Sequence, residues 1–217
     1  MPMLKGKICL VALGVLTVSV LAYGLAARYY AGYYFRGYEW NAPWGVSADI
    51  WTINPSVPSG DFLAEWDSVV QRYDPAYWVQ LGYDKGTYAN LRYYREKYDQ
   101  NAWSIYFFQD GPSAGTWHDY TICHAQETDM RKWRFWIDNG DRGYYLVEPY
   151  EPKDHQAFVE TTTTSIAIGD SHFEHISYYD GRTWSYWYIH VEREDYPYEV
   201  QEVSTMNSLP VKVLRDA

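Results

Sequence analysis

Lys132-Trp133-Arg134-Phe135-Trp136-Ile137-Asp138 runs into Asn139-Gly140 and then Gly143-Tyr144-Tyr145-Leu146-Val147. On an extended chain Trp133, Phe135 and Ile137 fall on one side, and Lys132, Arg134, Trp136 and Asp138 on the other. Asn-Gly between two such runs is a strong hairpin signal. The stretch therefore reads as two antiparallel strands with one face in a core. Working outward, similar short runs occur at Val46–Ile53, Tyr77–Tyr83, Leu91–Tyr98, Trp103–Gln109, Trp117–His124, Gln156–Thr162, Phe173–Tyr178 and Thr183–Val191. Asp84-Lys85-Gly86 joins one pair of them and Asp180-Gly181 another. Phe62–Arg72 reads as the one short helix, with Asp61 as its N-cap. About ten short strands and scarcely any helix predict a mainly β, antiparallel double-sheet sandwich.

Ahead of that domain, Ile8–Ala27 is twenty residues long and uncharged. A membrane span needs about 20 apolar residues. Lys5 and Lys7 precede it. Tyr29, Tyr30, Tyr33, Tyr34, Phe35, Tyr38 and Trp40 follow it, as in an interfacial aromatic belt. Two readings stand: a retained signal-anchor helix with its N-terminus inside, or a signal peptide cleaved near Ala26 or Ala27. Both place the remainder outside the cytoplasm, periplasmic or extracellular. The expected organisation is a signal-anchor or signal peptide at 1–27, an aromatic juxtamembrane linker at 28–45, the sandwich at 46–191 and a C-terminal extension at 192–217.

The first 36 residues carry four basic side chains and no acidic ones, leaving 14 basic and 28 acidic side chains in the rest. So acidic a domain lacks the Lys/Arg clusters that nucleic acid requires. Cys9 lies in the apolar segment and Cys123 in the domain, so no internal disulfide is expected. The Cys pattern is not that of a zinc site. His172, Glu174 and His175 lie close in sequence, but on a regular strand His175 opposes the other two, so no metal site is expected. No cofactor motif occurs either.

With 24 Tyr and 11 Trp, the chain has ample flat, amphipathic surface for protein or sugar contacts. Three strands set polar groups among these rings. Trp78 and Gln80 share one strand face, Tyr94 and Glu96 another, and Gln156, Phe158 and Glu160 a third. If these faces line one sheet, Gln80, Glu96, Gln156 and Glu160 converge in an aromatic cleft. A carboxyl there has a raised pKa and suits general acid or base work. A Gln beside it orients water or donates to an oxyanion.

The order of these segments resembles the eqolisin (glutamic peptidase) and neprosin-like group. The carriers are Trp78–Tyr83, the Tyr- and Glu-bearing strand, the Trp133–Gly140 hairpin, Phe158-Val159-Glu160-Thr161-Thr162 and Phe173–Trp184. The resemblance spans roughly 46–191 and implies a jelly-roll sandwich of the concanavalin-like kind. In eqolisins a Gln and a Glu on two of these strands activate water for peptide hydrolysis. Gln80 matches the first. The family pattern carries a second Glu four residues after the catalytic one. Aligning Val159-Glu160 on that later pair puts Gln156 at the catalytic position and makes Glu160 its companion. The resemblance thus implies a catalytically degenerate member, because two amides cannot supply the proton transfers of a Gln–Glu pair.

The reading that follows is a membrane-tethered, extracytoplasmic sandwich that binds or builds. Its partner is another protein subunit at a membrane or surface, or a saccharide. The alternatives are a glutamic-type endopeptidase using Gln80 with Glu160 or Glu96, and a carbohydrate-binding module presenting coplanar Trp and Tyr rings.

Overall fold

The computed structural model describes residues 27–36, 44–73, 76–86, 90–100, 102–124, 129, 131–147, 152–187, 191–202 and 211–215. The expected apolar segment, apart from its last residue, lies outside them. No described helix is long and apolar enough to cross a membrane.

All described regular structure is β: β1 (Tyr29–Arg36), β2 (Gly45–Trp51), β3 (Leu63–Tyr73), β4 (Ala76–Lys85), β5 (Arg92–Asp99), β6 (Ala102–Phe107), β7 (Trp117–Cys123), β8 (Lys132–Ile137), β9 (Gly140–Leu146), β10 (Asp154–Thr161), β11 (Ser171–Tyr179), β12 (Trp184–Tyr186), β13 (Val191–Glu194), β14 (Tyr198–Glu202) and β15 (Val211–Arg215). One sheet has the order β13-β1-β10-β3-β4-β5-β6. The other runs β14-β15-β11-β2-β7-β8-β9, with β12 against β11. Neighbouring strands are antiparallel. Two antiparallel sheets facing each other form the expected sandwich.

The β8–β9 hairpin shows why the pattern works. Trp133 and Phe135 are fully buried and Ile137 nearly so, while Trp136 on the opposite face is only partly covered. Ile137 pairs with Gly140, and the two residues between them, Asp138 and Asn139, have φ of 50° and 63°. Such a two-residue loop needs positive φ at both positions, which Asp and Asn tolerate. The turn therefore sits one residue earlier than the Asn139-Gly140 reading. From the other side of the core, Leu63, Val69, Val79, Leu81, Tyr83, Ala157 and Val159 meet this hairpin and β2, β7 and β11.

Three expectations are corrected. Phe62–Arg72 is not a helix. Leu63–Tyr73 is the central strand β3, hydrogen-bonded between β10 and β4. Its residues from Leu63 to Gln71 are buried on both faces. Glu65 and Asp67 point inward with Leu63 and Val69, so polarity does not alternate and the strand signal is lost. Tyr29–Arg36, expected within a linker, is β1, inserted between β10 and β13 with Ala31 and Tyr33 in the core. The expected C-terminal extension supplies most of β13 and all of β14 and β15.

Candidate functional site

The outer face of the seven-stranded sheet is organised in rows across strands. One row runs Gln156, Ser68, Gln80, Glu96 and Ile105 through β10, β3, β4, β5 and β6. The next, two residues along, runs Gly32, Phe158, Trp66, Gly82, Tyr94 and Phe107. A third holds Tyr30, Glu160, Ala64, Asp84 and Arg92. On the far side of the Gln80 row stand Trp78, Tyr98 and Trp103. Trp78, Gln80, Tyr94, Glu96, Gln156, Phe158 and Glu160 thus share one face.

The middle row is an aromatic floor. Trp66 and Phe158 pack at 5.3 Å between ring centroids, and Ala64 and Tyr94 complete the small buried cluster. The glycines on either side of that ring pair make room for it. A Cβ on Gly82 would lie 2.7 Å from the Trp66 Cβ and 2.1 Å from the Glu65 carbonyl. One on Gly32 would lie 2.9 Å from the Phe158 ring. Real side chains do not approach so closely.

The polar groups divide into two sets. In the Gln80 row, the Ser68 hydroxyl donates to Gln156 Oε1 at 3.4 Å, and Gln80 Nε2 donates to the Tyr94 hydroxyl. Glu96 Oε1 accepts from Trp103 Nε1 at 2.6 Å. Burial pushes the Glu96 carboxyl up to about 7. Glu160 adds to the rise, while the Trp103 hydrogen bond and Arg28 oppose it. Tyr94 is held well above the phenol range by burial, then by the charges of Glu96 and Glu160. In the second set Glu160, buried, accepts from the Arg28 guanidinium and, through Oε2, from Trp66 Nε1 at 3.2 Å.

Gln156, not Glu160, therefore stands level with Gln80. Glu160 is four residues further on, about 13 Å along an extended strand, and is engaged elsewhere. Glu96 is the carboxyl directly across from Gln80. The sequence pattern does not reveal Ser68 and Trp66, which lie in the segment that reads as helix, or Arg28 and Tyr30, which lie in the segment that reads as a linker. With Glu65 and Asp67 on its inward face, β3 offers no polarity alternation that could reveal Trp66 and Ser68; for Tyr30 the available signal is the every-second-residue spacing of Tyr30, Gly32 and Tyr34.

The histidines lie apart from this face. A bulge between Glu174 and Ser177, with His175 at φ 52°, breaks the regular alternation. His175 Nδ1 thereby comes within 2.7 Å of Asp49 Oδ2, whose residue pairs with Glu174. His175 does not simply oppose its neighbours, as a regular strand would require. Among the described residues no three His, Cys, Asp or Glu side chains are grouped to hold a metal ion.

No family model matches the sequence, and no curated protein is significantly similar to it. Solved structures do share its architecture. Scytalido-glutamic peptidase with a transition-state analogue inhibitor superposes with a TM-score of 0.61 at 12% identity, over 87% of this chain and 98% of that one. SCP-B, an eqolisin peptidase solved with a tripeptide, gives 0.53 at 10% identity over the same shares. A family 16 endo-glucanase from Bacteroides ovatus gives 0.37 at 12% identity over 62% of this chain and 65% of that one. The chain therefore has the two-sheet sandwich fold seen in eqolisin peptidases, the fold part of the sequence resemblance.

Proposed function

We propose that the outer face of the seven-stranded sheet binds an extended polypeptide and does not cleave it. The observation that carries this reading is the level placement of Gln156 and Gln80, joined through Ser68, with Glu160 two rows away and bound by Arg28 and Trp66. Two amides offer donors and acceptors to a backbone but no group to take a proton from water. Rings in the rows on either side, Trp66 and Phe158 on one and Trp78, Tyr98 and Trp103 on the other, supply apolar contact. Two neighbours of the same fold were solved with peptide-based ligands, which favours a polypeptide over a saccharide. With the sequence-based anchor, the protein would present this face outside the cytoplasm to another subunit of a surface or membrane assembly.

A second reading has its own observation. Glu96 lies across from Gln80 with its carboxyl near 7, a value suited to proton transfer. One assay separates the two. The full chain is incubated with an unfolded, alkylated protein between about pH 2 and 7, the range in which a shifted carboxyl titrates. The expected outcome is binding without fragments, weakened about tenfold in Trp103→Ala, since an exposed Trp contact commonly carries that much affinity. Cleavage that Gln80→Ala and Glu96→Gln both abolish would establish the hydrolase instead.

A further inference from the structure

Glu160 is an unusual place for a charge. Its side chain is only 7% exposed, while that of its partner Arg28 is 52% exposed. Taking a carboxylate out of water costs several kcal/mol unless a cation and hydrogen bonds replace the solvent. Trp66 Nε1 satisfies one oxygen. Among the described residues, the cation that meets the other is Arg28, the residue just before β1. The setting is built for a guanidinium. Arg28 lies over the Phe62 ring at 5.2 Å, and Tyr30 and Phe158 pack edge to face beside it. Carboxylate plus aromatic walls is the chemistry that receives a cationic side chain.

The position also matters. Glu160 is on the face that carries Gln80 and Gln156, with the Trp66–Phe158 floor between. About 13 Å separates it from Gln156, the reach of four residues of an extended chain. We infer that the Glu160 socket is a subsite for an Arg or Lys side chain of the bound polypeptide, and that Arg28 occupies it from within the same chain until a ligand displaces it. The inference rests on the polypeptide-binding reading and names its specificity. A cation borne by the ligand would replace the Arg28 guanidinium at the same carboxylate, so in-chain occupancy and ligand binding compete. The net acidity of the domain favours such a ligand over an acidic one.

The test uses fluorescein-labelled octapeptides in which one Arg is moved through each position, each matched by a citrulline peptide of the same shape without the charge. Anisotropy titrations are run on the full chain, on Arg28→Ala, and on Arg28→Ala with Glu160→Gln. Removing Arg28 should let the Arg peptide bind about tenfold tighter than its citrulline twin at one position, as a charge-assisted hydrogen bond permits. Adding Glu160→Gln should erase that preference, and the parent chain should show less of it than Arg28→Ala. If Arg28→Ala does not melt cooperatively, Arg28→Gln removes the charge with most of the stem kept and is read in the same way. Equal binding of the Arg and citrulline peptides at every position by the Arg28 variant would overturn the subsite while leaving the binding face standing. Binding of no peptide by any of the proteins would overturn the polypeptide reading itself.

Discussion

Single residues decide more here than their type suggests. Trp133 and Trp136 are three positions apart on one strand, yet Trp133 is fully buried against His124 and the core while Trp136 faces outward. Trp133→Ala is expected to cost about 3–5 kcal/mol, the usual range for emptying a buried Trp site. Trp136→Ala should cost about 1 kcal/mol or less. Urea unfolding of both variants checks this, and equal midpoints would refute the facing assignment. That assignment was legible in the sequence, because Trp133, Phe135 and Ile137 share one face while Trp136 shares the other with Lys132, Arg134 and Asp138. The Glu160 environment was not. A strand shows that Glu160 shares a face with Gln156, but not that Arg28, 132 residues away in sequence, would reach it. Long-range ion pairs leave no local pattern.

At the scale of elements, legibility followed residue pattern and turn chemistry, not burial, since β10 is covered on both faces much as β3 is. β8, β4 and β10 announce themselves by alternation, and the Asp180-Gly181 turn by residue type. There Asp180 Oδ1 accepts from the backbone N–H groups of Arg182 and Thr183. β3 hid because two acids, Glu65 and Asp67, stand on its inward face and break the polarity pattern. β1 hid because it directly follows an apolar segment, where Tyr and Phe suit a membrane interface as well as a sheet. Its role in the sheet is testable. Without β1, β10 and β13 both lose their shared neighbour, and Ala31 and Tyr33 leave the core. A chain beginning at residue 37 should therefore fail to melt cooperatively, while one beginning at residue 27 should melt as the parent does. Circular dichroism melts decide it. Cooperative unfolding of the shorter chain with an unchanged midpoint would show that β1 is dispensable.

Across the whole molecule, the buried ionisable groups set a preference for acid. Glu65 lies between the sheets, with its carboxyl accepting from the Ser171 hydroxyl at 2.5 Å, and burial lifts it to about 8. Asp67 is raised well above its ordinary range by burial and then by the charges of Asp119 and Asp49. In the unfolded chain both titrate near about 4. Between those values and the folded ones, the native state holds protons that the unfolded state has released, so stability falls as pH rises. Each such group contributes up to about 1.4 kcal/mol per pH unit. His155 opposes them. Buried between Phe35 and Trp187, it is pushed down to about 3. Below about 6.5 the unfolded chain takes a proton that the native state refuses, which lowers stability as pH falls. From about pH 6.5 to 4 two carboxyls outweigh one imidazole, so acidification still stabilises. Below about 4 Glu65 and Asp67 are protonated in both states, and His155, together with the Asp129 and Asp180 carboxyls that their hydrogen bonds hold below the ordinary range, lowers stability as pH falls further. The melting temperature is thus expected to peak near about pH 4 and to decline steadily towards pH 8, which keeps the protein folded through most of the range where cleavage is to be assayed. Glu65→Gln should flatten the alkaline decline without moving the acid limb, and His155→Phe should do the reverse. Melting curves from about pH 3 to 9 test the balance, and a maximum at neutral pH in the parent chain would mean that Glu65 and Asp67 are charged in the fold.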